Sequence, residues 1–184
     1  QAEDGIRDIV ARLVGSEMCI RDRAFLLLQT WMTRDAPRGP APEITGVLLD
    51  GTPVRLTDLR GKPALIHFWA TWCPICGLEQ DTIDAIADDH AVLTVVIDEG
   101  KADDIRAYLR EEGVDYPVLH DPGNDIARDY AIRGVPASFI IDPAGNIRFV
   151  ERGYTTGIGL RLRLWWAGRQ TATGVTTGTD TALP

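Results

Sequence analysis

WATWCPIC, residues 69–76, places two tryptophans and two of the chain's three cysteines in eight positions. A redox dithiol, half of a metal site and an apolar strand end that happens to carry sulfur would all read this way. The flanking residues narrow the choice. Upstream, Ala64–Ala70 (ALIHFWA) is a short apolar run after Pro63, suited to a strand buried on both faces. Downstream, Ile75, Leu78, Ile83 and Ile86 recur at helical spacing, which predicts a helix from Cys73 to about Asp89. The two cysteines therefore stand at a strand-to-helix junction. Free N–H groups and the positive dipole end of a helix stabilise a thiolate there. Cys73 would be the exposed nucleophile, and Cys76, one turn further in, would resolve the mixed disulfide. Pro74 fits the first turn, which needs no N–H from it. A metal reading needs two more ligands: His67 lies on the strand, His90 and His120 are distant, and no second CxxC exists.

Working outward, Glu43–Pro63 holds two β-type runs about Asp50-Gly51, a hairpin signal. Ala91–Asp98 (AVLTVVID) predicts a second buried strand. Ala102–Glu112 predicts an amphipathic helix closed by Gly113 in a left-handed cap. Tyr116–Asp121 predicts a third strand, and Asn124–Ile132 a short helix capped by Asn124 or Asp125. Two strands about Pro143–Asn146 form another hairpin, and Thr156 caps a final helix ending near Gly168. Strands alternating with helices and closed by a hairpin predict an α/β fold, with a mixed central sheet and helices on both faces.

The 184 residues suit one domain with a substantial core. A net charge of −8, from 19 basic and 27 acidic residues, argues against a nucleic-acid partner. Residues 1–23 end in GSEMCIRDR, which reads as translated library-adapter sequence; they are set aside from the fold, although Ile6, Ile9, Val10 and Leu13 would also suit an amphipathic helix. Cys19 has no partner nearby. Residues 24–42 read as the truncated end of a membrane anchor, with Trp31 at the interface, followed by a Pro-rich extended linker. A short docked helix is the other reading of Ala24–Leu28. The domain proper is expected over residues 43–168, with a low-complexity, disordered tail over 169–184.

GKPALIHFWATWCPIC, joined about sixty residues later by RGVPASFIIDPAGNI, resembles the thioredoxin superfamily. The likeness is to its extracytoplasmic TlpA/ResA/DsbE-like branch, and within that to the copper-sensitivity-suppressor D-type proteins. It implies a thioredoxin-like fold with an N-terminal β-hairpin extension. It also implies a cis Val135–Pro136 bond facing the dithiol, with the Val135 backbone left to pair with an extended substrate segment. Trp72 and Pro74 complete the substrate-facing surface. His67 falls where thioredoxins carry a buried acid, so it is either a proton relay to Cys76 or a core histidine. Glu79 matches an acidic position by which ResA-like proteins tune their cysteines, or it is a solvated helix residue.

The resemblance implies a protein-disulfide oxidoreductase without cofactor or metal. It would be periplasmic and anchored to the inner membrane, would act on protein disulfides or dithiols, and would be fed by a transmembrane thiol reductant. Known dithiol couples span about −270 to about −120 mV, about 7 kcal/mol. Pro74-Ile75 sets no cation or donor side chain beside the Cys73 sulfur, which favours an intermediate to reducing couple and hence a reductase or isomerase. A copper-binding assembly module and a cytochrome c maturation thioredoxin are the alternatives. A thiol peroxidase would need a threonine three residues before its cysteine, and Thr71 is two before Cys73.

Overall fold

A computed structural model describes residues 37–169. The expectations for residues 1–36 and for the tail beyond Arg169, including the adapter-like segment, the anchor and Cys19, fall outside the described residues.

Six strands form one mixed sheet and two more form a separate hairpin. The chain order is β1 (Gly39–Pro40), β2 (Thr45–Val47), β3 (Pro53–Arg55), a 3-10 turn (Leu56–Leu59), β4 (Ala64–Trp69), α1 (Pro74–Gly77), α2 (Gln80–Ala87), β5 (Ala91–Val96), α3 (Ala102–Glu112), β6 (Val118–His120), α4 (Asp125–Asp129), β7 (Ala137–Ile141), β8 (Asn146–Arg152) and α5 (Gly157–Arg169). The main sheet runs β1-β8-β7-β4-β5-β6, and β2 pairs only with β3. Strands β4, β5 and β6 are parallel, whereas β7, β8 and β1 join antiparallel.

Every residue of β4 and β5 is buried, as near-continuous apolar runs at a sheet centre require; the two polar members, His67 and Thr94, bond Ser138 Oγ and the Pro117 carbonyl. Side-chain alternation splits them between two cores. Leu65, Trp69, Val92, Val96 and Ile140 pack with Ile83 and Ile86 of α2, Ile105 of α3, and Leu160 and Leu164 of α5. On the other face Ile66, Phe68, Leu93, Val95 and Phe139 pack with Ile44, Leu56, Ala127 and Tyr130. Tyr130 lies edge-on to Phe139 at 5.0 Å and donates its hydroxyl to the Pro42 carbonyl at 2.8 Å.

The local turn signals correspond to what forms. Gly51 takes φ 93° in the β2–β3 turn, Gly113 closes α3 at φ 73°, and Thr156 Oγ1 accepts the Gly159 N–H at the start of α5. Three expectations need correction. The helix from Cys73 is two helices, broken at Leu78–Glu79. The Glu79 carboxylate accepts the Thr155 N–H, and the Glu79 backbone lies at φ −100°, ψ −13°. Helix α4 is not capped by Asn124 or Asp125; the buried Asp121 carboxylate accepts from Asp125 N and Ala127 N, both at 2.9 Å. The Pro-rich stretch is extended, but it is also docked: Gly39 and Pro40 pair with Ile147 and Asn146 at the sheet edge.

Candidate active site

Parallel strands end at one level, and β4 and β5 bring their C-terminal ends to the same edge in register, Trp69 beside Val96. The chain leaving β4 is fixed there by Asp98, whose buried carboxylate accepts the Thr71 N–H at 3.1 and 3.3 Å. Trp69 stays in the core, stacked on Tyr108 at 5.9 Å with its indole N–H on Thr94 Oγ1. Trp72, three residues later, is 66% exposed.

Cys73 is the N-cap of α1 in extended conformation, with Pro74 in the first turn. Its sulfur accepts the Cys76 N–H at 3.2 Å, one of the free donors of a helix start. Cys73 and Cys76 are joined as a disulfide with their Cα atoms 5.3 Å apart. Cys73, expected to be exposed, is buried at 5% as Cys76 is at 1%; the first sulfur is only the less covered of the two. The exposed side chains of Trp72, Ile75 and Leu78 ring the pair.

Val135–Pro136 is a cis peptide bond. The Val135 carbonyl oxygen lies 3.7 Å from the Cys73 sulfur, and the Pro136 carbonyl accepts from Gly153 N at 2.9 Å. Among the described residues the Val135 N–H and carbonyl make no backbone hydrogen bond. The loop therefore offers an unused donor and acceptor beside the disulfide.

Glu79 is buried, 2% exposed, and its neighbour in space is the chain entering α5. Burial pushes its carboxyl up to about 7, against the opposing pull of the Thr155 N–H. It is not a solvated helix residue. His67 is also buried, with Nδ1 2.9 Å from Ser138 Oγ on β7. Burial lowers it to about 4, so the imidazole is neutral at neutral pH.

Sequence reading had passed over Asp98, Gly153 and Thr155. Asp98 was legible in principle, since a polar residue just past a buried strand, in register with the exit of β4, faces that exit. The contacts of Gly153 and Thr155 come from folding alone. An open groove of about 560 Å³ lies beside Trp72, lined by Asp98, Glu99, Asp104 and Tyr108 among others. Among the described residues no group of three or more His, Cys, Asp or Glu side chains could hold a metal.

Comparison with known proteins accords with this geometry. The AhpC/TSA family profile matches residues 37–150. The thiol:disulfide interchange protein DsbE of Xylella fastidiosa (strain 9a5c) is 28% identical over 153 residues, covering 79% of this chain and 78% of that protein. The thiol-disulfide oxidoreductase ResA of Bacillus thuringiensis (strain Al Hakam) is 29% identical over 111 residues, 58% of this chain and 64% of that one. In structure, the exposed lipoprotein thioredoxin of Streptococcus pneumoniae strain TIGR4 superposes with a TM-score of 0.60 at 29% identity, over 68% of this chain and 99% of that one. The chain belongs to the thioredoxin-like AhpC/TSA family, and its homologues there are thiol:disulfide oxidoreductases of the TlpA/ResA/DsbE branch.

Proposed function

We propose that this protein reduces or isomerises disulfides of protein substrates outside the cytoplasm, with Cys73 attacking and Cys76 resolving. The observation that carries the reading is the placement of Cys73: N-cap of α1, more exposed than Cys76, and beside the unpaired backbone of Val135. In the dithiol form, the Cys73 thiolate attacks one sulfur of a substrate disulfide and displaces the other as a thiolate. The substrate strand runs along Val135, with Trp72, Ile75 and Pro136 as its apolar surround. Cys76 then loses its proton and attacks the Cys73 sulfur. This restores the Cys73–Cys76 disulfide, releases the second substrate thiol, and moves two electrons to the substrate.

Glu79 is the proton acceptor for Cys76. It lies one turn on, its N–H bonds the Cys76 carbonyl at 3.0 Å, and a carboxyl near 7 can take and return a proton at neutral pH. His67, at about 4, is too weak a base for that step and serves as a neutral core partner of Ser138.

The reducing direction is supported by what surrounds the Cys73 sulfur. Its polar contacts are one backbone N–H and one carbonyl oxygen. The carbonyl oxygen disfavours a thiolate, so the reduced form is not strongly stabilised, and a couple of that kind donates electrons. Reoxidised protein would be returned to the dithiol by a thiol reductant in the membrane, with the chain held there by an anchor before residue 37. The exposed lipoprotein relative supports the extracytoplasmic placement. Among the described residues no helix is long and apolar enough to cross a membrane.

Turnover of insulin disulfides with dithiothreitol tests the activity. The wild type should accelerate reduction and Cys73→Ser should not; equal rates would overturn the reading. Equilibration with glutathione should place the couple between about −270 and −200 mV, and a value above about −150 mV would reverse the direction.

A further inference from the structure

Helix α5 is apolar on two sides. Leu160, Leu164 and Ala167 are buried against the sheet, while Ile158, Leu162, Trp165 and Trp166 are exposed. The outward set falls at i, i+4, i+7 and i+8, a second stripe that the core does not use. Phe149 and Trp166 lie 5.4 Å apart, and with Leu162 and Trp165 they line an open groove of about 480 Å³. The helix carries three arginines and no acid, in a chain with a net charge of −8.

The aromatic end of α5 lies at a defined pole of the molecule. A Cβ at Gly168 would sit 3.3 Å from Pro63, just before β4, whereas Gly157 approaches Thr82 near the start of α2. Strand β4 ends at the dithiol, six residues or about 20 Å from Pro63. Trp165 and Trp166 therefore occupy the end opposite Cys73.

That pole is basic. Gly61 N bonds the Pro143 carbonyl, Ala41 N bonds the Gly145 carbonyl, and the Arg60 guanidinium lies against Gly145. Arg38, Arg60 and Lys62, all exposed, flank these contacts in sequence, and Arg169 lies 3.7 Å over the Trp165 ring; the exposed Asp88 and Asp89 precede Ala91, which pairs with Ala64, and so stand at the same end. None of the four makes an ion pair among the described residues. Arg161 and Arg163 higher on the helix are paired with Asp89 and Glu151. Asp98, Glu99 and Asp104 line the groove beside Trp72, and the exposed Lys101 and Arg133 stand at the same end.

We propose that this pole docks on the surface of an anionic phospholipid bilayer. Trp165 and Trp166 would sit at the headgroup level, Leu162 and Phe149 behind them, and Arg38, Arg60, Lys62 and Arg169 on lipid phosphates. Indole rings and cationic side chains on apolar stems favour that boundary, and each nearby cation adds to binding. Docked this way, the disulfide stands about 20 Å clear of the anionic surface. The contact is independent of the redox chemistry and of any anchor before residue 37.

Co-sedimentation of the full chain with vesicles tests it, with tryptophan quenching by brominated lipid as a second readout. Phosphatidylglycerol–phosphatidylethanolamine vesicles should bind the wild type and phosphatidylcholine vesicles should bind it much more weakly. Charge reversal at Arg60, Lys62 and Arg169 to Glu should weaken the anionic partition about a hundredfold. Trp165→Ser with Trp166→Ser should weaken it about tenfold and remove most of the quenching. Both variants keep residues 1–36, so any binding through that segment is common to all samples. Insulin reduction should be unchanged in both. Wild-type binding that neither variant weakens, or equal binding to neutral vesicles, overturns the proposal. So does a concentration-dependent dimer, lost in the tryptophan variant, in protein that ignores vesicles, for the covering partner is then a second copy. If the tryptophan variant melts early, the charge-reversal variant decides alone.

Discussion

Two buried ionisable side chains near the disulfide pull stability in opposite directions with pH. The Glu79 carboxyl is near 7 in the folded protein and near its ordinary 4.5 in the unfolded chain. Between those values the folded state keeps a proton that the unfolded chain has released, so stability falls as pH rises, by about 3 kcal/mol in full. His67 moves from 6.5 to about 4. Here the unfolded chain binds a proton that the folded state refuses, so stability is complete above about 6.5 and falls by a similar amount as pH drops to 4. Between about 4.5 and 6.5 the two slopes cancel. Glu79→Gln should therefore show stability rising with pH across that window, and His67→Gln should show it falling. Denaturant titrations of the oxidised protein at pH 4.5, 5.5 and 6.5 measure both, and parallel curves for the variants and wild type would contradict the account. The same carboxyl links stability to activity, since Glu79→Gln should also slow release of the mixed disulfide while leaving its formation intact.

At the scale of elements, what was legible depended on how far a signal reaches along the chain. Gly113 at the end of α3, Asp50-Gly51 in the hairpin and Thr156 before α5 act within four residues, and the sequence reads them correctly. The buried runs of β4 and β5 were equally plain, because a strand covered on both faces is apolar almost throughout, with only His67 and Thr94 as polar members. The cap of α4 was misread because Asp121 reaches forward four and six residues, which only the turn after β6 makes possible. The break between α1 and α2 follows Gly77, and the Glu79 carboxylate there accepts the N–H of Thr155, 76 residues away. For the same reason WCPIC could be recognised as a dithiol while Glu79, the proton acceptor we propose, could not be told from a surface glutamate. The cap assignment has a direct check. Asp121→Ala leaves two N–H groups without their acceptor and should cost about 2 kcal/mol. Asp125→Ala should cost less than about 0.5 kcal/mol, since it loses only an exposed pair with Arg128. The reverse order would restore Asp125 as the cap.

On the scale of the whole molecule, the redox couple is a statement about folding. A thiol:disulfide exchange and an unfolding equilibrium close a cycle, so any difference between the native couple and that of the unfolded chain must equal a difference in stability between the oxidised and reduced folds. Each 30 mV in that difference corresponds to about 1.4 kcal/mol. An oxidant owes its potential to a reduced form held more firmly than its disulfide form. Here the sulfur that would carry the charge is 5% exposed, faces the Val135 carbonyl, and receives a single N–H from a four-residue helix. The Glu79 carboxyl behind it adds negative charge once ionised and gives a thiolate no help. The fold therefore favours the disulfide, and the oxidised protein should unfold at the higher temperature. Thermal scans at pH 7 with and without excess reductant measure the difference, and the shift, converted through the unfolding entropy, should agree in sign and size with the glutathione couple. A reduced form that outlasts the oxidised one would show that the thiolate is stabilised by groups other than these, and would make the protein an electron acceptor.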